Sequence, residues 1–179
     1  MSGAVAVTGP VEIRPASSAD VPAILALMAP EIASGALLPR VVRPGDFLVA
    51  EREGALLGAV ALAPWSDEVA ELGSLVTGPR GLGLGVALVE AAMAEADARG
   101  YATVVALTGI PGFFERRGFG AVAAAPWARA RGCETLPSPA GLEAAIGYKA
   151  RVCAACPRLD GCAQALLCRA TGAAARAVA

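Results

Sequence analysis

Apolar residues recur at every second position in some stretches and at every third or fourth in others, and the two periods predict an alternation of strands and helices. Val11-Glu12-Ile13-Arg14 alternates as a strand that Pro15 ends, and Ser18 is placed as the N-cap of a helix over Ala19–Met28, with Asp20 in its first turn. The stretch from Pro30 to Arg43, broken by Pro39 and Pro44, reads as a short helix and a loop. Phe47–Ala50 and Leu56–Ala63 flank Glu51-Arg52-Glu53-Gly54 as a hairpin turn, and Val69–Thr77 adds a third strand, predicting an antiparallel meander. Val86, Val89, Met93 and Ala96 are spaced as one face of a helix that Gly100 ends. Ala102–Leu107 reads as a buried strand, Pro111–Arg117 as a short helix opened by proline, and Phe119–Ala123 as a strand. Beyond it, Ala124–Arg151 reads as an irregular arm with a short helix at Leu142–Tyr148. The expected organisation is a core over 1–123 and a cysteine-bearing appendage over 124–179.

Between the third strand and the long helix stands Pro79-Arg80-Gly81-Leu82-Gly83-Leu84-Gly85. Glycines at a strand-to-helix junction let the backbone turn its N–H groups toward one point at the positive end of a helix, which suits an anion. A dinucleotide fingerprint needs G-x-G-x-x-G with an acidic residue about twenty positions on, and a Walker loop ends in Gly-Lys-Ser/Thr; neither fits. The alternative of a glycine-rich turn that only lets a helix cross a strand stays open.

Composition narrows the chemistry. With 179 residues, 56% of them hydrophobic, the chain can bury a sizeable core. No run reaches the roughly 18 apolar residues of a membrane span. A net charge of -1 and a single lysine, Lys149, leave no basic surface for nucleic acid. Met1–Pro10 lacks the basic start and apolar core of a signal peptide, so a cytoplasmic location is expected, with reduced cysteines. The absence of histidine removes histidine-based catalytic units and histidine metal ligands, leaving carboxylates, tyrosines, thiols and water to move protons.

Arg80-x-x-Gly83-x-Gly85 resembles the Gln/Arg-x-x-Gly-x-Gly/Ala loop of the GCN5-related N-acetyltransferases, and Phe113-Phe114-Glu115-Arg116-Arg117-Gly118-Phe119 is similar to their closing Tyr-Glu-x-x-Gly-Phe element. Leu37-Leu38-Pro39-Arg40, Asp46–Glu51, Ala70–Leu75 and Ala106-Leu107-Thr108 resemble, within that superfamily, the single-domain bacterial N-acetylglutamate synthases. The resemblance covers residues 11–123 and implies an α/β (α+β) fold. Its central sheet would be mixed and mostly antiparallel, with helices on both faces and strands that splay at the acetyl-CoA site. It implies that Arg80, Gly81, Leu82, Gly83, Leu84 and Gly85 hold the pyrophosphate of acetyl-CoA. It further assigns Leu75, Val76, Thr77 and Phe114 to that co-substrate, with N–H groups near Leu75 and Val76 receiving the thioester oxygen. The implied reaction is direct transfer of acetyl to the α-amine of glutamate in a ternary complex, toward arginine. Another small amine or an antibiotic as acceptor, or a non-catalytic acyl-CoA sensor or metal-binding module, remain as alternatives, and a homodimer stays open.

Glu71 is the candidate base, since an α-amine with a pKa near 8 is only about one-tenth neutral at pH 7. On a strand it shares a face with Val69, Gly73 and Leu75, which predicts a carboxylate set among apolar groups, or else an exposed glutamate at a sheet edge. Arg40 could pair with an acceptor carboxylate through two parallel hydrogen bonds or be a solvated loop arginine, and Arg43 has a weaker case. Many relatives carry a tyrosine four residues before the position of Gly118, to protonate the departing thiolate. This chain has Phe114 there, and a thiol of pKa about 8.5 can leave without an acid. Cys153, Cys156, Cys162 and Cys168 are spaced 3, 6 and 6 apart, which is compatible with a structural zinc or iron–sulfur site, a disulfide or buried thiols.

Overall fold

The structure, a computed structural model, describes residues 9–78, 80–121, 156, 162 and 164–173. Among the described residues, strands β1 (Glu12–Pro15), β2 (Phe47–Arg52), β3 (Ala55–Pro64), β4 (Val69–Thr77), β5 (Thr103–Thr108), β6 (Gly120–Ala121) and β7 (Ala165–Ala170) accompany helices α1 (Val21–Ser34), α2 (Leu84–Ala98) and α3 (Pro111–Glu115). Hydrogen-bonded neighbours follow the order β1-β2-β3-β4-β5-β7-β6. β4 and β5 run parallel, whereas β1/β2, β2/β3, β5/β7 and β6/β7 are antiparallel, so the mixed, mostly antiparallel sheet agrees with expectation. Two compact units divide the chain: Met1–Ala61 with Ser74–Ala91, and Leu62–Gly73 with Ala92–Ala179.

In the first unit the β2–β3 hairpin turns at Glu53 (φ 50°) and Gly54 (φ 81°), the two consecutive left-handed residues that a tight hairpin needs. Phe47 and Val49 on β2 and Ala59 and Ala61 on β3 face Ile24 and Met28 of α1 in a buried cluster. The opposite face of β3 meets α2: a Cβ placed on Gly58 would lie 2.9 Å from the Val76 carbonyl oxygen and 3.0 Å from Leu88 Cδ1. Glycine is therefore required at 58 for close approach, and helices cover both faces of this unit's strands.

Three helical expectations change. A short helical turn over Ser18–Asp20 precedes α1, and the Ser17 N–H and hydroxyl both donate to Asp20 Oδ2 at 2.7 and 2.8 Å, so Ser17 takes the capping role expected of Ser18. α1 continues through Pro30 to Ser34 and closes at Gly35 (φ 81°). Proline removes the donor for the Ala26 carbonyl, but Ala26 and Pro30 are both exposed, so water can replace that bond while Ile24 and Met28 hold the other side. On α2 the buried residues are Leu84, Leu88, Val89, Ala92, Met93 and Ala96, whereas Val86, expected on the inner face, is 40% exposed.

In the second unit β4 pairs with β5 from Val69↔Thr103 to Leu72↔Ala106. β5 then pairs along its whole length with β7, from Thr103↔Ala170 to Thr108↔Ala165, and β7 also pairs with β6. The segment assigned to a C-terminal appendage thus supplies a strand whose Leu166 and Leu167 are buried. Of the strand expected over Phe119–Ala123, Gly120–Ala121 are strand, and 122–123 lie outside the described residues, as do the arm and the helix expected at 142–148. No helix among the described residues is long and apolar enough to cross a membrane.

One ion-pair group ties β1, β2 and the start of α1 together. Arg14 donates to both oxygens of buried Asp20, at 2.8 and 2.9 Å, and through Nε to Glu51 Oε2 at 2.8 Å. The guanidinium, then the Ser17 N–H, hold the Asp20 carboxyl well below the usual carboxylate range. Because the folded form binds its proton more weakly than an unfolded carboxyl of pKa about 3.9, this stabilisation is complete above roughly pH 4 and is lost as pH falls further. Asp20→Asn is expected to lower the melting temperature at pH 7 and to flatten its decline below about pH 4. Calorimetric scans across that range check this, and parallel curves for parent and variant would contradict it.

Candidate active site

In the first unit, β4 leads into a loop at Gly78, whose N–H donates to the Leu57 carbonyl at 2.8 Å. Gly81 (φ 82°) and Gly83 (φ 70°) are left-handed, and a Cβ at either would meet nothing within 4 Å. Their requirement for glycine is conformational, not steric. The Ala87 N–H bonds the Gly83 carbonyl at 3.1 Å as α2 begins, so the N–H groups of Leu84, Gly85 and Val86 precede the first intrahelical bond at the positive end of the helix. Arg80 is exposed, and Leu82 (50%) and Val86 present apolar surface beside it. Pro79 lies outside the described residues. The donors, the dipole and the open left-handed glycines fit a phosphate group.

On the strand before this loop, Ser74 has φ 47° although only 7% of its surface is exposed. A buried non-glycine residue in the left-handed region inside a strand breaks the pleat and redirects the adjacent amides. Leu75 and Thr77 are half-buried, and Val76 packs into the cluster with Ile24 and Met28. Arg40 reaches this kink: its Nη1 donates to Ser74 Oγ at 3.4 Å, and its Cζ lies 6.0 Å from the ring centroid of buried Phe47. Arg40 is half-buried, whereas Arg43 is exposed. Sequence reasoning did not single out Ser74; the one available signal was the glycine beside it, Gly73, inside a strand pattern.

In the second unit, Glu71 lies on β4 opposite Val105 of β5. Ala70 and Leu72 are buried while Glu71 and Gly73 are half-buried, so the carboxylate occupies the more open face of the strand. Its Oε2 accepts a 2.8 Å hydrogen bond from the indole Nε1 of Trp65. Sequence reasoning also missed Trp65, because a tryptophan in a turn has no periodic pattern to mark it.

Phe114 is 4% exposed and stacks edge-to-face with Phe113 (centroids 5.1 Å apart) and Phe119 (5.4 Å). Arg117 lies 3.7 Å above the Phe113 ring and donates to the Phe113 carbonyl. This aromatic stack offers no hydroxyl at position 114. Cys168 sits on β7, paired opposite Val105 and Gly120, and burial pushes its thiol up. Cys156 and Cys162 are half-buried, none of the three forms a disulfide, and Cys153 lies outside the described residues. Among the described residues no three metal-ligating side chains gather, and a strand register holds Cys168 between β5 and β6.

A family model described as "Acetyltransferase (GNAT) family" matches residues 27–119, just over half of the chain. No curated protein matches. Among solved structures, N-acetylglutamate synthase from Neisseria gonorrhoeae, complexed with coenzyme A and N-acetyl-glutamate, is 24% identical with a TM-score of 0.68; the match covers 91% of this chain but 35% of that one. The chain therefore spans about a third of that synthase. Rv2747 from Mycobacterium tuberculosis, in a complex that includes CoA, is 23% identical with a TM-score of 0.69, covering 89% and 98%. YncA from Salmonella typhimurium, solved with its cofactor acetyl-CoA, is 22% identical with a TM-score of 0.54, covering 65% and 83%. These likenesses establish a shared fold.

Because a Cβ at Gly83 meets no neighbour, Gly83→Ala should destabilise through its backbone alone, by about 1–2 kcal/mol. Urea denaturation measures this, and an unchanged midpoint would contradict the left-handed loop.

Proposed function

The chain belongs to the acetyltransferase (GNAT) family, and from that premise we propose that it transfers acetyl from acetyl-CoA to the α-amine of an amino acid, with L-glutamate the favoured acceptor. The observation that carries the acceptor class is Arg40, held half-buried against Ser74 Oγ and the Phe47 ring. A guanidinium fixed in this way is organised to receive a carboxylate before the acceptor arrives, which reduces the ordering that binding would otherwise require. The fold shared with a synthase that binds N-acetyl-glutamate points the same way.

In this reading the pyrophosphate of acetyl-CoA lies on the amides of the Gly81–Gly85 loop, with Arg80 adding charge. The amino acid enters as an ammonium, which gives one proton to the Glu71 carboxylate, directly or through water. The freed nitrogen lone pair attacks the thioester carbon, forming the C–N bond and moving the carbonyl pair onto oxygen. N–H groups of Leu75 and Val76, redirected by Ser74, stabilise that oxygen. The carbonyl re-forms, the C–S bond breaks with its pair on sulfur, and the nitrogen loses a second proton. The thiolate, of pKa about 8.5, takes a proton from solvent, so the buried Phe114 ring is no obstacle. One ammonium and one thioester give one amide, one thiol and one released proton.

Phe114 favours one second reading, a sensor that binds acyl-CoA without turnover. A screen of amines with acetyl-CoA, read by thiol release, separates the two: glutamate should give the highest kcat/KM, and binding without release for any amine would establish the sensor. Arg40→Ala should raise KM for glutamate about tenfold and leave that for acetyl-CoA nearly unchanged, and Glu71→Gln should lower kcat roughly 10²-fold. Equal effects of Arg40→Ala on both KM values would point to a folding defect, and an unchanged kcat would make Glu71 structural.

A further inference from the structure

We infer that Trp65 is a positioning residue for deprotonation of the acceptor, its indole N–H fixing the carboxylate of Glu71; the inference rests on the reading of Glu71 as the base. The bond between Trp65 Nε1 and Glu71 Oε2 is 2.8 Å long and links residues six apart across the turn from β3 to β4. That turn is tightly held. The N–H groups of Trp65 and Ser66 both donate to the Val69 carbonyl, at 2.8 and 3.1 Å, and Ser66 Oγ accepts the N–H groups of Glu68 and Val69, at 3.3 and 3.1 Å. Pro64, the last residue of β3, fixes the backbone entering it.

The indole is a large planar side chain with two rotatable bonds, mounted on a backbone with no room to drift. Its single N–H can only donate, so its partner must be an oxygen with a lone pair to offer. Such a bond holds the carboxylate in one rotamer. Turn positions are commonly filled by glycine, asparagine, aspartate or serine, whose short side chains suit the turn itself. Tryptophan contributes nothing comparable to turn formation, and its polar atom is directed at the one carboxylate on this stretch of β4. Trp65 need not touch either substrate; it acts through Glu71.

Trp65→Phe keeps an aromatic ring and removes the donor. It should lower kcat about tenfold with KM for both substrates and the melting temperature nearly unchanged, and in a Glu71→Gln background it should lower kcat no further. Independently of activity, the Trp65 indole N–H resonance, identified by its loss in Trp65→Phe, should move upfield in Glu71→Ala. An unmoved resonance, a kcat that Trp65→Phe leaves at the parent value, or a full tenfold further loss in the double variant would each overturn the role of Trp65 alone. A parent-like kcat in Glu71→Gln with a resonance that moves in Glu71→Ala would instead overturn the base assignment, and this inference with it.

Discussion

The left-handed backbone of Ser74 is the constraint on which the rest of this account turns. β4 has two demands placed on it. It contributes Leu72 and Val76 to buried packing, which favours an unbroken strand, and in the proposed reading it also turns the N–H groups of Leu75 and Val76 toward the thioester, which an unbroken ladder would occupy. A residue at φ 47° satisfies both by breaking the pleat once without ending the strand. Serine in that conformation costs backbone energy that glycine would avoid. Its hydroxyl gives something that glycine cannot, an acceptor for Arg40 Nη1 at 3.4 Å.

The same economy of space explains the approach of α2. Its first turn can serve as an anion site only if the helix begins close behind β4, and Gly58 makes the room, since any Cβ there would overlap the Val76 carbonyl and the Leu88 side chain. Gly81 and Gly83 play a different part: nothing crowds them, and what they contribute is a backbone path. Asp20, Arg14 and Glu51 sit apart from this chemistry and fasten the start of α1 to β1 and β2, while Ile24 and Met28 pack against β2 and β3.

The elements legible in the sequence were those whose signals are local. The β2–β3 hairpin was visible because alternating apolar residues flank Glu53-Gly54, and the glycine loop because few other residues take left-handed φ values readily. Pro30 misled because proline is a helix breaker on average, and only the exposure of Ala26 shows why this helix tolerates it. β7 was hidden more completely. Ala165-Leu166-Leu167-Cys168-Arg169-Ala170 is rich in good helix formers, and it is extended because β5 and β6 offer partners on both sides, a long-range fact that no window of sequence contains. In the candidate site, glycine spacing marked the loop and a periodic face marked Glu71. Ser74 and Trp65 carried no pattern, since a strand kink and a turn-borne indole acquire meaning only through Arg40 and Glu71.

The central claim is that the Gly81–Gly85 loop holds the diphosphate of coenzyme A, and calorimetric titration of coenzyme A into the parent and into Gly83→Asp tests it most directly. Aspartate accepts left-handed φ better than most residues and its Cβ would meet open space, so the variant should fold while placing a negative charge where phosphate must sit. At least a tenfold loss of affinity, about 1.4 kcal/mol, is expected in a protein whose melting transition persists. Undiminished binding by the folded variant would contradict it.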